Sequence, residues 1–151
     1  YFVPALTGLG APHWEADARG TIVGLTRGTG RAQLARAALE AMAFGTAEVL
    51  HAMREASDAP FDRLRVDGGA SANDWLMQFQ ADLIGCPVVR PADTETTALG
   101  AAYLAGLATG FFPNLETLTN LWKAERTFEP KMPRSERDAL YENWKKAVTK
   151  A

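Results

Sequence analysis

The chain has 151 residues, of which 47% are hydrophobic and 23% are charged, and its formal net charge at pH 7 is −2. These ordinary globular values exclude long disordered segments, and the length suffices for one domain or for most of a larger one. A near-neutral chain without a basic patch is a poor partner for nucleic acid or for an anionic membrane. Its one cysteine, Cys86, excludes an intramolecular disulfide bond, and neither histidine is an obvious partner for thiol catalysis.

Strand-like and helix-like patterns alternate along the chain, which predicts an α/β fold with a largely parallel sheet. The predicted strands are residues 1–6, 21–25, 63–67 and 87–90. The predicted helices are residues 31–57, 73–84, 97–109 and a last helix that begins near Ser135. Residues 112–133 contain three prolines, so we expect a surface segment without regular structure there.

Local signals predict where the helices begin and end. Gly85 and Gly110 are expected to end helices, and Thr96 is expected to cap the third helix. Ser135 and Asp138 have the spacing of a capping box. Two apolar stripes at helical spacing predict buried faces: Leu39, Met42, Ala43, Thr46, Leu50 and Met53 in the first helix, and Tyr141, Trp144 and Val148 in the last.

The most informative stretch is residues 66–73, where an apolar strand runs into Gly68 and Gly69 and then into a predicted helix. Two glycines remove the Cβ atoms at a turn where the backbone must approach a ligand closely. The helix that follows offers unpaired N–H groups and the positive end of its dipole. The stretch therefore predicts a nucleotide cradle, with a tight turn that binds nothing as the structural alternative.

The cradle belongs to neither of the two common glycine motifs. No Lys-Ser or Lys-Thr pair follows a Gly-x-x-x-x-Gly frame, which excludes a Walker-type loop. Frames that begin at Gly8 and Gly28 fail the dinucleotide-binding fingerprint, because His13 and Gln33 stand where the third glycine is needed.

Gly20-Thr21-Ile22-Val23-Gly24-Leu25, followed by Gln33-Leu34-Ala35-Arg36-Ala37-Ala38-Leu39-Glu40, resembles the second signature of the FGGY carbohydrate kinases. Residues 7–14, 24–29 and 76–82 are similar to the members of this family that phosphorylate glycerol. The similarity spans nearly the whole chain, with residues 117–127 the least distinctive.

The resemblance implies an actin-like ATPase (ribonuclease H-like) fold, in which two related α/β domains close over ATP and the substrate. Residues 1–151 would be most of the C-terminal domain, its adenosine-binding half, truncated at the N-terminal side. The substrate domain would lie upstream, and the opening at Tyr1 within an extended apolar segment also suggests a piece of a longer polypeptide. An incomplete sheet would have an unpaired edge at which the isolated chain associates or swaps an element.

In the family's adenosine motif, Gly69 and Asn73 correspond to the best contacts of ADP, with Gly68 shaping the turn. Asp67 would cap backbone N–H groups or face the nucleotide. A glycine lets the adenosine lie against the backbone, and the Asn73 amide offers donors and an acceptor. The alternative role for Asn73 is a helix cap, for which Ser71 competes.

The resemblance also implies the reaction: a carboxylate from the other half of the protein deprotonates a glycerol hydroxyl, whose oxygen attacks the γ-phosphoryl group of Mg²⁺-ATP. No catalytic residue and no protein metal ligand is assigned to this chain, which we expect to be inactive alone. Mg²⁺ would be held mainly by the nucleotide and by upstream residues. We further expect a cytoplasmic homo-oligomer without a membrane span, because the chain has no long apolar run and no signal-peptide pattern.

Three alternatives remain open from the sequence. The first is an FGGY kinase for another polyol or sugar, such as xylulose. The second is a non-catalytic actin-like scaffold that binds nucleotide. The third is an interaction module that uses the face of Tyr141, Trp144 and Val148.

Other polar residues have structural explanations that we favour. We expect Glu40 to form a buried ion pair with an arginine, and Arg27 to pair with a carboxylate such as Glu40 or Asp67. For His13 and Trp14 we expect loop packing or a subunit contact.

Overall fold

The computed structural model describes residues 1–57 and 61–151. In these ranges the helices are Arg31–Ala56 (α1), Asp74–Ile84 (α2), Thr96–Ala108 (α3), Leu115–Leu121 (α4) and Arg134–Val148 (α5). The strands are Phe2–Val3 (β1), Thr21–Ile22 (β2), Leu64–Arg65 (β3), Val88–Pro91 (β4) and Ala124–Phe128 (β5). A 3-10 turn, Gly69–Ala72, immediately precedes α2.

The strands form two small sheets. β1 and β2 pair antiparallel, with Phe2 opposite Ile22. In the second sheet, β4 lies between β3, which is parallel to it, and β5, which is antiparallel to it. The predicted α/β fold is confirmed, but this sheet is mixed rather than largely parallel, because β5, which was not predicted as a strand, pairs antiparallel with β4.

The core lies where α1, α2 and α5 meet. Phe44 of α1 is fully buried, stacks on Trp144 of α5 with ring centroids 4.9 Å apart, and meets the edge of Phe79 of α2 at 5.8 Å. The predicted face of α5 is confirmed for the buried Trp144 and Val148, with Tyr141 half-buried.

The predicted apolar face of α1 is only partly correct. Ala43 and Leu50 are buried, but Met42 and Met53 are each 47% exposed. Small residues of α1 lie against α2, so the buried stripe is centred on Ala43, Ala47 and Leu50 rather than on the methionines.

The predicted helix ends are confirmed at the C-terminal side and wrong at the N-terminal side. Gly85 and Gly110 adopt positive φ angles of 66° and 74° directly after α2 and near the end of α3. Thr96 is the first residue of α3 rather than its cap: Glu95 occupies the cap position, and the Thr96 hydroxyl donates to Asp67. The cap position of α5 is Pro133, and no side chain caps this helix, so the capping box at Ser135 is absent.

The prediction of an irregular segment over residues 112–133 is wrong, because this segment contains α4 and β5. Asn114 is the N-cap of α4, because its Oδ1 accepts a hydrogen bond from the backbone N–H of Thr117 at 2.9 Å. β5 forms through pairing with β4, which is a tertiary contact. The three prolines lie outside both elements and only delimit them.

α3 is composed mostly of apolar residues, yet none of its residues is buried. Leu104 is 69% exposed, and the ring of Phe112 packs directly against Gly106, where a Cβ would lie 2.4 Å from the ring.

Within the described ranges, no helix has both the length and the apolar character to cross a membrane.

Candidate functional site

The glycine turn joins β3 to α2 through a backbone conformation that favours glycine. Gly68 has φ 74° and ψ 172°, which a side chain with a Cβ rarely adopts. Its N–H donates to the Thr94 carbonyl at 2.9 Å, and its carbonyl accepts from the Ser71 hydroxyl at 2.7 Å. Hydrogen bonds therefore fix the turn at both the N–H and the carbonyl of Gly68.

Gly69 presents bare backbone to open space. A Cβ built on this residue would meet no atom within 4 Å, and the residue itself is exposed. The space above Gly69 is therefore available to a flat group that lies against the main chain.

Asn73 is the N-cap of α2. Its Oδ1 accepts a hydrogen bond from the Leu76 backbone N–H at 3.0 Å, whereas Ser71 is buried and does not cap the helix. The cap interpretation of Asn73 is therefore correct for the amide oxygen. The Nδ2 group has no protein partner in residues 1–57 and 61–151, and the side chain is exposed, so two donors remain available.

Asp67 ties the turn to the start of α3. Its Oδ2 accepts from the Thr96 hydroxyl, a side-chain partner that replaces the predicted backbone cap. The two residues line different clefts. Asp67 lines one of about 270 Å³ that also borders Met42 of α1, and Thr96 lines one of about 400 Å³ that also borders Trp122. Of the two clefts, only the smaller one is also lined by residues of the turn, Ala70 and Ser71.

Sequence reasoning missed Arg90, which links β4, β5 and the start of α2. The residue is 8% exposed. Its Nη1 donates to the Ser71 carbonyl and to Asp74 Oδ1, both at 2.8 Å, and its Nε donates to Glu125 Oε2 at 2.7 Å. The hydrogen bond to Glu125 raises the pKa of Arg90, and the hydrogen bond from Arg90 lowers the pKa of Asp74. An arginine between Val89 and Pro91 in an apolar strand was the available signal.

Of the other polar candidates, Glu40 pairs with Arg36 at 2.7 Å, which confirms an arginine partner. The pair is on the surface of α1 rather than buried, because the Arg36 side chain is 56% exposed. Arg27 is exposed, and neither expected partner is paired with it, since Glu40 binds Arg36 and Asp67 binds Thr96.

His13 Nε2 lies 2.8 Å from Glu48 Oε1, a contact that fastens the first loop to α1. Trp14 is 78% exposed. Cys86 is buried, and burial raises the pKa of its thiol, so its reactive thiolate form is disfavoured. Among the described residues there is no group of three or more His, Cys, Asp or Glu side chains that could hold a metal ion.

The chain combines a mixed three-stranded sheet, the helices packed around it and a glycine turn between β3 and α2. Residues 1–109 match the FGGY family of carbohydrate kinases, C-terminal domain, and the chain belongs to this family. The resemblance seen in the sequence is thereby confirmed, together with the actin-like α/β fold that it implied.

Among curated relatives, the chain is 60% identical over 151 residues to glycerol kinase of Dechloromonas aromatica and 57% identical over 152 residues to that of Borreliella burgdorferi. Each alignment covers 100% of this chain and 30% of the relative. The chain therefore spans less than a third of the length of these relatives.

Solved structures share the fold. A crystal structure of Plasmodium falciparum glycerol kinase with ADP superposes with a TM-score of 0.84 and 36% identity, covering 99% of this chain and 30% of that chain. Ligand-bound xylulose kinase from Lactobacillus acidophilus superposes with a TM-score of 0.73 and 28% identity, covering 94% of this chain and 28% of that chain.

Proposed function

We propose that this chain is part of an ATP-dependent kinase that phosphorylates glycerol to glycerol 3-phosphate. The observation that carries this proposal is the 57–60% identity to glycerol kinases over the whole chain. The xylulose kinase fold is similar, but its sequence identity is 28%, which makes a kinase for xylulose or another sugar the second candidate.

Within that kinase, residues 1–151 form most of the C-terminal domain and contribute contacts to the adenine nucleotide. The related structure from Plasmodium falciparum contains ADP, which supports the use of a nucleotide by the full-length protein. Gly69 leaves the backbone open to the adenosine, and Asn73 Nδ2 donates to its polar atoms. Gly68 shapes the turn, and Asp67 holds it to α3 through Thr96.

The geometry of these residues supports the proposed nucleotide contact. The turn has open space above Gly69 and an exposed amide with two available donors at Asn73, and its residues Ala70 and Ser71 line the cleft of about 270 Å³. Bound ATP, with Mg²⁺, supplies the phosphoryl group that is transferred. The role of this chain is to bind and orient the adenosine, which positions the phosphoryl group of ATP for transfer.

The groups that act on glycerol are proposed to lie in the rest of the polypeptide, including the carboxylate that takes the proton from the glycerol hydroxyl. The Mg²⁺ ion is proposed to be held mainly by the nucleotide and by those residues. We also propose that the full-length enzyme is cytoplasmic and forms a homo-oligomer; light scattering on the purified protein would test the oligomeric state.

The test uses the full-length protein with two variants of one residue. Asn73→Ser keeps a side-chain oxygen that caps α2 but removes the amide donors, whereas Asn73→Ala removes both. We expect both variants to raise the KM for ATP about tenfold, as loss of one good hydrogen bond does. Only the alanine variant should lower the unfolding free energy, by about 1 kcal/mol.

The substrate is tested in parallel by ATP-dependent phosphorylation of glycerol, xylulose and other polyols. Preference for glycerol supports the first candidate, and preference for xylulose supports the second. Transfer to none of these acceptors would favour a scaffold that binds nucleotide without catalysis. An unchanged KM for ATP in Asn73→Ser would remove Asn73 from the site.

A further inference from the structure

Arg90 extends from β4 into the interior beside the start of α2. A buried guanidinium loses its water and is stable only where its N–H groups are paired. Here the pairing is extensive, because the group donates to Ser71, Asp74 and Glu125 at 2.7–2.8 Å. The guanidinium carbon also lies 5.3 Å from the centre of the Phe128 ring. The side chain therefore has one well-defined position.

Two of these contacts flank Asn73. Ser71, whose carbonyl accepts from Arg90, lies two residues before it, and Asp74, whose carboxylate accepts from Arg90, lies directly after it. Ser71 in turn donates its hydroxyl to the Gly68 carbonyl. One guanidinium thus connects the whole segment from Gly68 to Asp74 to the central strand of the sheet.

Arg126 provides an internal comparison. Its guanidinium also contacts the Asp74 carboxylate, at Oδ2, and lies over the same Phe128 ring at 4.6 Å. However, its side chain is 51% exposed, against 10% for Arg90, and its partner at this turn is Asp74 rather than the Ser71 carbonyl. The two arginines share a carboxylate, but Arg90 is the one bonded to the backbone ahead of Asn73.

We propose that Arg90 is a positioning residue for the nucleotide site: it holds the Ser71 backbone carbonyl before Asn73 and the Asp74 side-chain carboxylate after it, so that the Asn73 amide donors stay aimed at the adenosine. This inference rests on the proposed function, since it assumes that Asn73 contacts the nucleotide. Arg90 acts through Asn73 and does not itself touch the ligand. A hydrogen bond weakens steeply as its donor angle falls, so a small shift of this segment is sufficient to reduce affinity.

The test compares Arg90→Gln with Arg126→Gln in the full-length kinase, with the KM for ATP, the KM for the acceptor and the melting temperature measured for each. We expect Arg90→Gln to raise the KM for ATP about tenfold, which corresponds to about 1.4 kcal/mol. The KM for the acceptor should stay within about twofold of wild type. Arg126→Gln should leave both KM values within about twofold, because the Ser71 contact remains.

A double-mutant cycle with Asn73→Ser separates positioning from general stability. If Arg90 acts through Asn73, Arg90→Gln should raise the KM for ATP in the wild-type background but change it less than twofold in Asn73→Ser. Additive effects in the double variant would overturn the proposal. So would an equal rise in the KM values of ATP and acceptor, because that result indicates a loosened protein rather than a misplaced amide.

Two milder variants decide the question if Arg90→Gln does not fold. Arg90→Lys keeps the buried charge but replaces the planar fork by one ammonium group, and Asp74→Asn keeps the side-chain shape at one anchor. Both should raise the KM for ATP in the same direction, and unchanged values in both would overturn the proposal. The proposed contact between Asn73 and the adenosine is tested separately. An unchanged KM for ATP in Asn73→Ser alone would contradict that contact, whatever the Arg90 variants show.

Discussion

At the scale of single residues, Gly68 and Gly69 are adjacent but have different physical roles. A Cβ on either residue would meet no atom within 4 Å, but only Gly68 has a positive φ, so Gly68 shapes the turn and Gly69 is free of that constraint. A sequence motif of two glycines does not distinguish these roles, because both the backbone angle and the surrounding space are set by the folded chain.

We therefore expect opposite phenotypes from two alanine substitutions. Gly68→Ala should lower the unfolding free energy by about 1–3 kcal/mol, the cost of holding a residue with a Cβ at positive φ. Gly69→Ala should change it by less than about 0.5 kcal/mol, and should weaken ADP binding because the new methyl group occupies the space proposed for adenosine. Thermal unfolding and ADP titration measure the two effects, and equal destabilisation by both variants would contradict this assignment.

Asn73 was predicted with two competing roles, and the structure makes them compatible. The amide oxygen caps α2 while the nitrogen stays available. The residue type indicated both roles. Which end of the amide caps the helix and which end stays available depends on the direction in which α2 leaves the turn.

At the scale of elements, the start of α2 is held by electrostatic contacts with β4 and β5. Asp74 stands in the first turn of the helix, where a carboxylate also interacts favourably with the helix dipole. Its pKa is lowered first by the hydrogen bond from Arg90, with a further contribution from Arg126. This junction is consequently sensitive to acid.

The sign of that dependence follows from the lowered pKa. The contribution of Asp74 to stability is fully present above the pKa of the unfolded chain, 3.8, and is lost as the pH falls through the lower folded value. We expect the wild-type chain to be more stable than Asp74→Asn at pH 5, with the difference shrinking towards zero as the pH falls below 3.8 and through the lower folded pKa. Urea unfolding across this range measures it, and a difference that stays constant would contradict the ion-pair explanation.

Elements with strong local signals were predictable, and those that depend on partners were not. α1 and α2 follow from apolar periodicity and from Gly85, which adopts the left-handed conformation at the end of α2. β5 has little signal of its own: four of its five residues are exposed, and pairing with β4 is what makes it a strand. α4 was missed because the nearby prolines suggested irregular structure.

At the scale of the whole molecule, the chain spans about 30% of the length of its relatives and contributes one side of the proposed nucleotide site. The groups that would bind and deprotonate glycerol are expected elsewhere in the polypeptide. The proposal therefore predicts that nucleotide binding and glycerol phosphorylation can be separated by experiment.

We expect the isolated 151-residue chain to produce no ADP from ATP in the presence of glycerol, while the full-length protein does. A coupled assay for ADP release measures both. The control is the isolated chain carrying Asn73→Ala, assayed at an ATP concentration below the KM: activity that persists unchanged in this variant belongs to a contaminating kinase. Glycerol-dependent turnover that the variant lowers would contradict the proposal that the acceptor groups lie outside this chain.

The sequence by itself determined the family, the α/β class and the position of the glycine turn, because short motifs and apolar periodicity are local properties of the chain. Only the tertiary structure decided that Arg90 joins the central strand to the start of α2, that the sheet is mixed, and that Met42 and Met53 face outward. Ser71 and Asp74 lie 19 and 16 residues before Arg90. A contact across that separation exists only when β4 and α2 have packed, so no local pattern encodes it.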